Sequence, residues 1–176
     1  MKVTMVLVSW LNGKTTRDDD TNINLWTSKE DAKFFSLLRD KHKLIIMGRK
    51  TYTSIYDKIK LQPDKLRIVL TKTPAKYSNH AKSGMLEFTN EHPTKLLKRL
   101  EPKGYKNCLL VGGGEVARLF LQSSLIDEIY LTIEPKIFGK GKSMFAEDNF
   151  QAQLKLISAK KLNRQGTLLL KYKVQK

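Results

Sequence analysis

The chain has 176 residues, of which 40% are hydrophobic, and this length allows one domain with a sizeable buried core. No apolar run approaches the roughly 20 residues that a membrane-spanning helix requires, which excludes an integral membrane protein of that type. The 33 basic and 17 acidic residues give a net charge of +16, which favours an anionic partner such as nucleic acid, an acidic membrane or a phosphorylated small molecule. The lysines are spread over every segment, so a lysine-rich composition without functional meaning explains the charge equally well.

The first predicted element is a strand. Residues 3–10 are apolar and rich in β-branched side chains, a pattern typical of a strand buried on both faces. The N-terminus resembles the start of a signal peptide, but its apolar part is short and lacks a small-residue cleavage site. The single cysteine, Cys108, cannot form an internal disulfide, which favours a reducing, cytoplasmic location.

A turn at residues 12–14 leads into a polar loop over residues 15–24. This loop carries three adjacent acids, Asp18, Asp19 and Asp20. They lack the alternating spacing and the closing glutamate of a calcium loop, so we expect a solvated loop and no metal site.

The next element is a helix over residues 29–41, and it presents a carboxylate on its buried face. Ser28 and Asp31 match the S-x-x-D capping pattern. At about 100° per residue, Asp31 lies on the same face as Phe35 and Leu38. Asp31 either completes the helix cap or is a desolvated acid at the rim of a pocket, and the residues leave both interpretations open.

A second buried strand at residues 44–47 runs into Gly48-Arg49-Lys50-Thr51, which opens a short helix through residue 55. The two cations at the helix start suit a phosphate monoester, because a guanidinium is planar and always charged. An arginine that is merely exposed in a turn is the alternative. Further along, residues 66–70 and 85–88 are predicted strands, residues 75–84 a polar loop and residues 93–100 a helix.

The most informative stretch is a strand over residues 106–111, three glycines and a helix over residues 115–122. Glycine permits a sharp turn or a close backbone approach to a ligand, and the helix start favours an anion. Gly112, Gly114 and Ala117 fit the G-x-G-x-x-A spacing of dinucleotide sites. A tight turn without a ligand is equally consistent with this short pattern.

After residue 125 the pattern changes from strand–helix alternation to strands alone. Residues 127–134 alternate as a half-exposed strand would, and residues 153–162 and 167–174 are two more strands joined by a turn. The chain therefore predicts an α/β fold with a parallel sheet and an antiparallel addition at one edge.

Two motifs are rejected. Gly141-Lys142-Ser143 resembles the end of a P-loop, but Lys136 occupies the position at which that motif requires an earlier glycine. The three histidines lack closely spaced partners, so we expect no zinc site.

Five segments in this order resemble the dihydrofolate reductase-like superfamily, and within it the reductase (C-terminal) domain of the bifunctional riboflavin-pathway deaminase–reductase. The resemblance covers nearly the whole chain. The segments are Ser9 with Asn12-Gly13-Lys14, Trp26-Thr27-Ser28, Met47-Gly48-Arg49-Lys50-Thr51-Tyr52, Val111-Gly112-Gly113-Gly114-Glu115, and residues 125–132 with Pro135, Gly139, Gly141 and Phe145.

The resemblance implies a single domain over residues 1–176, a three-layer α/β/α fold with a mostly parallel eight-stranded sheet and an antiparallel edge. It implies NADPH as the cofactor, bound across the carboxyl ends of the strands. The pyrophosphate would lie on Gly112, Gly113, Gly114, Glu115 and Val116. The adenosine half would lie near Gly48, Lys50, Thr51, Thr71 and Lys72, with Arg49 on the 2′-phosphate. The Gly112–Gly113 peptide is expected to be cis.

For the substrate, the resemblance implies a small heterocycle contacted by Ser9, Asn12, Trp26 and Thr132, with Asp31 as the catalytic acid. Residues 127–145 favour reduction of 5-amino-6-(5-phosphoribosylamino)uracil. Asn12 replaces that family's usual Asp, and its Asp-Asp-Pro loop is missing. Asp31 and Gly48-Arg49 instead favour dihydrofolate.

Two other functions stay open on the sequence. One is a non-enzymatic nucleic-acid-binding protein that uses the +16 charge. The other is a family member that binds the cofactor but has lost its native substrate. The resemblance also suggests a homodimer, and it implies neither a specific nucleic acid nor a membrane as a partner.

Overall fold

Strands and helices alternate along the chain of this computed structural model, which describes residues 1–18, 20 and 22–176. The strands are β1 Lys2–Trp10, β2 Leu44–Gly48, β3 Leu66–Leu70, β4 Leu86–Thr89, β5 Asn107–Val111, β6 Glu128–Glu134, β7 Gln153–Lys161 and β8 Leu168–Gln175. The α-helices are α1 Lys29–Asp40, α2 Arg49–Ile55, α3 Pro93–Leu100 and α4 Gly114–Gln122. Asp19, in the acidic loop, lies outside the described residues.

All the strands form one sheet in the order β4-β3-β2-β5-β1-β6-β8-β7. The strands from β4 to β6 run parallel, whereas β8 is antiparallel to β6 and β7 is antiparallel to β8. This confirms the parallel sheet with an antiparallel edge. A parallel arrangement brings the carboxyl ends of β1, β2, β3, β5 and β6 to one edge, where open α/β sheets bind ligands.

Helices cover both faces of the sheet, which confirms the three-layer architecture. On one face Phe35 and Leu38 of α1 and Tyr52 of α2 pack against β2 and β3. On the other face Leu96 of α3 and Phe120 of α4, each with no exposed side-chain surface, pack against the opposite sides of the same strands. Because alternate residues of a strand point to opposite faces, each strand supplies both cores.

Helix α1 is fixed at both ends. Its first turn is capped by Ser28, whose Oγ accepts a hydrogen bond from the backbone N–H of Asp31 at 3.2 Å. At its last turn Lys65 Nζ donates to the carbonyl oxygens of Arg39 and Asp40 at 3.4 and 3.1 Å. A cation at a helix C-terminus satisfies free carbonyl groups and interacts favourably with the helix dipole.

Two details differ from the sequence predictions. Residues 74–80 form a 3₁₀ helix, Pro74–His80, within the stretch predicted as a loop. Strand β6 is partly exposed, as predicted, but two of its polar residues, Thr132 and Glu134, are 0% and 2% exposed. The strand lies between β1 and β8, so these two residues face a packed layer and not solvent.

Strand β7 is the opposite case, because every one of its residues is exposed. It pairs with β8 alone and forms the outer edge of the sheet. Leu154, Leu156 and Ile157 are 44%, 52% and 53% exposed.

Candidate active site at the carboxyl ends of the strands

The glycine loop lies in the middle of the carboxyl edge of the sheet. Val111, the last residue of β5, pairs with Met47 on one side and with Val6 on the other. The loop that follows it therefore lies between the ends of β2 and β1. The register brings the two glycine-containing turns of the sequence side by side, although they are more than sixty residues apart.

Close contacts explain the glycines on both turns. A Cβ built on Gly48 would lie 2.8 Å from Cγ2 of Val116, a residue of α4. Gly112 and Gly113 have φ values of +51° and +86°, which other residues rarely adopt, and their Cα atoms face Thr51. The expected cis peptide between Gly112 and Gly113 is wrong, since this bond is trans and the two positive φ angles alone form the turn.

The start of α4 has no side-chain cap, and the main chain of residues 143–146 packs against its first residue, Gly114. Its N-cap, Gly113, offers no side chain to the first-turn N–H groups. The Glu115 carboxylate is drawn away to Arg118 at 3.2 Å, and Arg118 also pairs with Asp148 at 2.6 Å. The backbone N–H of Glu115 is therefore the group of this residue that suits a phosphate, and Val116 lies close to Gly48.

The predicted cationic residues flank this loop on the β3 side. Arg49 is half-buried and makes none of the hydrogen bonds or ion pairs found in the described part of the chain. Lys50 and Lys72 are exposed, and Thr71 is buried with its hydroxyl accepting the N–H of Thr73 at 3.3 Å. A glycine cradle with an uncommitted guanidinium beside it fits a dinucleotide that carries an additional phosphate.

Asp31 lies at the other end of the same edge, next to β6, and is 6% exposed. Burial raises the pKa of its carboxyl from 3.8 to about 6, the Thr132 hydroxyl lowers it and the charge of Glu134 raises it. A buried carboxyl whose pKa is raised to about 6 suits general acid catalysis, which favours the second of the two interpretations of Asp31.

Two tryptophans form the wall beside Asp31. Trp10 stacks on Trp26 with ring centroids 4.8 Å apart, and Phe138 tilts against Trp10 at 5.5 Å. Both indole Nε1 atoms are buried and have no hydrogen-bond partner among the described residues. Buried donors without acceptors are costly, so their concentration beside an acid favours a polar ligand.

The other predicted substrate residues are placed differently. Ser9 is buried and its hydroxyl has no hydrogen-bond partner among the described residues. Val8, its neighbour in β1, pairs with Thr132 of β6, so Ser9 and Thr132 point to opposite faces of the sheet. Asn12 is exposed and donates from Nδ2 to the carbonyl of Phe138 at 2.8 Å. Asn12 thus links the loop after β1 to the loop after β6. Ser9 points to the face of the sheet on which α4 packs.

The loop after β1 is pinned to the loop after β6. The N–H of Thr15 donates to the carbonyl of Lys142 at 2.8 Å, and the N–H of Lys142 donates to Thr16 Oγ1 at 2.8 Å. The N–H of Asp18 donates to the carbonyl of Lys140 at 2.9 Å. The two loops together cover the carboxyl ends of β1 and β6 and carry several cations, namely Lys14, Arg17, Lys136, Lys140 and Lys142.

Glu134 and Trp10 are absent from the predicted site residues. The alternating pattern of β6 concealed Glu134, because a glutamate at the end of a strand is usually exposed. Among the described residues no group of three or more His, Cys, Asp or Glu side chains could hold a metal ion. In the same residues no helix combines the length and the hydropathy that a membrane span requires.

The model of the family described as RibD C-terminal domain matches residues 1–168. Two curated relatives are YwjB of Bacillus subtilis, 28% identical over 122 residues, and the dihydrofolate reductase of Aedes albopictus, 31% identical over 117 residues. The matches cover 68% of this chain and 68% of YwjB, and 61% of this chain and 61% of the Aedes protein.

Solved structures of low sequence identity share the fold. A riboflavin biosynthesis protein from Shewanella sp. PV-4 superposes with a TM-score of 0.80 at 20% identity, covering 100% of both chains. Dihydrofolate reductase from Enterococcus faecalis, complexed with NADP(H), superposes with a TM-score of 0.68 at 18% identity, covering 99% of this chain and 97% of that one. With a family model that matches almost its whole length, the chain belongs to the RibD C-terminal domain family and is a reductase of that family.

Proposed function

We propose that the protein transfers hydride from NADPH to a pyrimidine-type substrate and acts as a 5-amino-6-(5-phosphoribosylamino)uracil reductase. The observation that carries the proposal is the presence of two complementary sites on one edge of the sheet. A glycine cradle with a free guanidinium lies at β2, β3 and β5, and a buried acid lies among unpaired donors at β1 and β6.

The cofactor half of the site is supported by the fit of its residues. Gly112 and Gly113 leave room for a backbone approach, and the N-terminus of α4, which no side chain caps, favours a phosphate group. Arg49 is free to bind the 2′-phosphate that distinguishes NADPH from NADH. Once bound, the cofactor supplies the hydride, and the protein contributes position and electrostatics.

The substrate half is supported by Asp31. At a pKa of about 6 the carboxyl holds its proton in mildly acidic solution and releases it at higher pH. It can therefore pair with the polar edge of the pyrimidinone ring and supply a proton to the nitrogen that links the ring to the opened sugar, as C1 of that sugar takes up the hydride. Trp10 and Trp26 exclude water and offer two indole N–H donors to carbonyl groups of the ring.

Dihydrofolate is the second candidate substrate. It is favoured by the combination of a buried acid on α1 with Thr132 on β6, since a carboxyl in this position suits the amino-pyrimidine edge of a pterin. The relative from Aedes albopictus bears the name of that activity.

The test follows NADPH absorbance with each substrate in a separate cuvette, for the wild type and for Asp31→Asn. We expect turnover with the aminopyrimidine ribosyl phosphate, a loss of roughly 10² to 10⁴-fold in Asp31→Asn and unchanged NADPH affinity. Turnover with dihydrofolate alone selects the second candidate. Absence of NADPH binding in calorimetry refutes the proposal as a whole.

We further propose that the protein acts as a homodimer of single-domain subunits through β7. A long exposed edge strand with apolar residues favours pairing with another chain, and a second copy presents the same strand. Leu156→Lys should shift the sedimentation coefficient to that of a monomer. Leu37→Lys on α1, which replaces a residue 56% exposed, is the control and should leave the dimer intact.

We place the protein in the cytoplasm and propose that it has no specific nucleic-acid partner. The location is supported by Cys108, a buried free thiol. The loops after β1 and β6, the strands next to the proposed substrate site, carry several cations, which supports an anionic small molecule as their partner. Sequence-selective DNA binding without NADPH binding would instead support the alternative of a nucleic-acid-binding protein.

A further inference from the structure

The buried carboxylate of Glu134 joins three elements at the end of β6. Its side chain is at the last position of the strand and the residue is 2% exposed. One oxygen accepts the backbone N–H of Ser28 at 2.6 Å, and the other accepts the hydroxyl of Thr167 at 2.7 Å. Both oxygens are therefore occupied, which a buried carboxylate requires.

The first of these contacts leads directly to Asp31. Ser28 is the N-cap of α1, and its Oγ accepts the N–H of Asp31 at 3.2 Å. Glu134 thus holds the residue that caps the helix on which Asp31 lies. Thr132 lies two residues earlier on the same face of β6, and its hydroxyl contacts the Asp31 carboxyl.

The second contact leads to the turn of the C-terminal hairpin. Asn163 Oδ1 accepts the N–H of Thr167 at 3.1 Å, and Asn163 Nδ2 donates to Thr167 Oγ1 at 2.9 Å. The same Nδ2 donates to Glu30 Oε2 at 3.2 Å, a residue 133 positions away in the chain. The hairpin turn therefore contacts the start of α1 twice, once directly through Glu30 and once through Glu134.

Few charged groups face this network. Lys136 Nζ donates to the carbonyl of Trp26 at 2.9 Å, and Lys171 lies over the ring of Tyr130 at 4.7 Å. Glu30 is exposed at the helix start. Asp31 and Glu134 are the two carboxylates within it that are buried, so the charge of one acts on the other with little solvent screening.

We propose that Glu134 is a positioning residue for Asp31 and that the hairpin turn holds Glu134 in place through Thr167. The proposal rests on the assignment of Asp31 as the catalytic acid of the reductase. It gives the β7–β8 hairpin a part in catalysis, since the turn of this hairpin fixes the group that fixes the active-site helix.

The main experiment compares Glu134→Gln with the wild type, because glutamine keeps the shape and an acceptor oxygen but removes the charge. The titration of the Asp31 carboxyl is followed by ¹³C NMR, with the signal assigned by its absence in Asp31→Asn. We expect the midpoint to fall below about 6 but to stay above 3.8, because burial, the main cause of the raised pKa, remains, and only the smaller repulsion by Glu134 is removed. The pH dependence of turnover should shift in the same direction.

Glu128→Gln is the matched control, because it removes a carboxylate from the same strand that pairs with Lys2 at 2.7 Å at the opposite end. It should leave the midpoint of Asp31 unchanged. An Asp31 midpoint in Glu134→Gln equal to that of the wild type overturns the proposal. The NMR titration needs no turnover, so an inactive wild type refutes the reductase assignment while this test still applies.

Thr167→Val is the second variant and keeps both carboxylates. It removes the hydroxyl that Glu134 accepts, so the first turn of α1 should open more often. Amide hydrogen exchange of the Asp31 N–H should accelerate several-fold, whereas exchange near Arg39 at the other end of the helix should not change. Unchanged exchange at Asp31 overturns the role of the hairpin.

Discussion

Gly141 lies directly against the main chain of Thr16, so that any side-chain carbon on residue 141 would overlap the carbonyl oxygen of Thr16. The contact joins the loop after β1 to the loop after β6, where backbone hydrogen bonds run on both sides of it. The absence of a side chain at this one position allows the two loops to close over the carboxyl ends of their strands.

Gly141→Ala should separate these loops. We expect a loss of about 1 to 3 kcal/mol in the free energy of unfolding, as for other overpacked contacts, and an increased KM for the heterocyclic substrate. Gly139→Ala is the matched control, since no atom lies within 4 Å of a Cβ at that position. Equal behaviour of the two variants in urea unfolding and NADPH oxidation would contradict this role.

Arg49→Ala should weaken NADPH binding much more than NADH binding, because only NADPH carries the 2′-phosphate. A charge-assisted hydrogen bond contributes about 1.5 to 3 kcal/mol, which corresponds to roughly a ten- to hundredfold rise in Kd. Calorimetry with both cofactors measures it. Lys98→Ala, an exposed cation on α3, is the control for a general loss of positive charge. Equal weakening of both cofactors by Arg49→Ala would exclude the 2′-phosphate as its partner.

Gly48→Ala should destabilise the protein by about 1 to 3 kcal/mol, because the new methyl group would meet Val116 Cγ2 at 2.8 Å. The clash is with one methyl group, so Val116→Ala should relieve it. In a double-mutant cycle of urea unfolding, Gly48→Ala should cost less in the Val116→Ala background than in the wild type. Strictly additive effects would mean that the two residues are not in contact.

Asp31→Asn should stabilise the fold at neutral pH while it lowers activity. The carboxyl has a pKa of about 6 in the folded protein and 3.8 ordinarily, so the folded state binds the proton more tightly. Stability is therefore lost as the pH rises from about 4 to 6, by up to about 3 kcal/mol. Asparagine is uncharged at every pH, so the variant avoids this loss of stability.

Urea unfolding of Asp31→Asn should show a gain of about 1 to 3 kcal/mol over the wild type at pH 8 and little gain at pH 4. Asp57→Asn, at an exposed position, should show no such dependence on pH. An equal gain for Asp31→Asn at both pH values would show that the stabilisation does not come from the ionisation of the Asp31 carboxyl.

Much of the fold is determined locally and follows from the sequence. The apolar run of β1, the Ser28 cap of α1 and the glycines before α4 are each set by neighbouring residues, because hydrogen bonds and backbone sterics act over a few positions. The prediction that Asp31 faces inward has the same basis, since helical periodicity places it on the side of Phe35 and Leu38. These elements appear in the structure within about two residues of their predicted bounds.

The partners of these residues were decided by tertiary structure alone. Nothing near Gly48 in the chain indicates Val116, and nothing near Gly141 indicates Thr16, because parallel strand order brings distant segments together. The burial of Glu134 depends on β6 lying between β1 and β8, which reverses the exposure that alternation predicts. The environment of Asp31 therefore depends on a helix, a strand and a hairpin turn whose contacts are long-range, and periodicity along the chain carries no information about them.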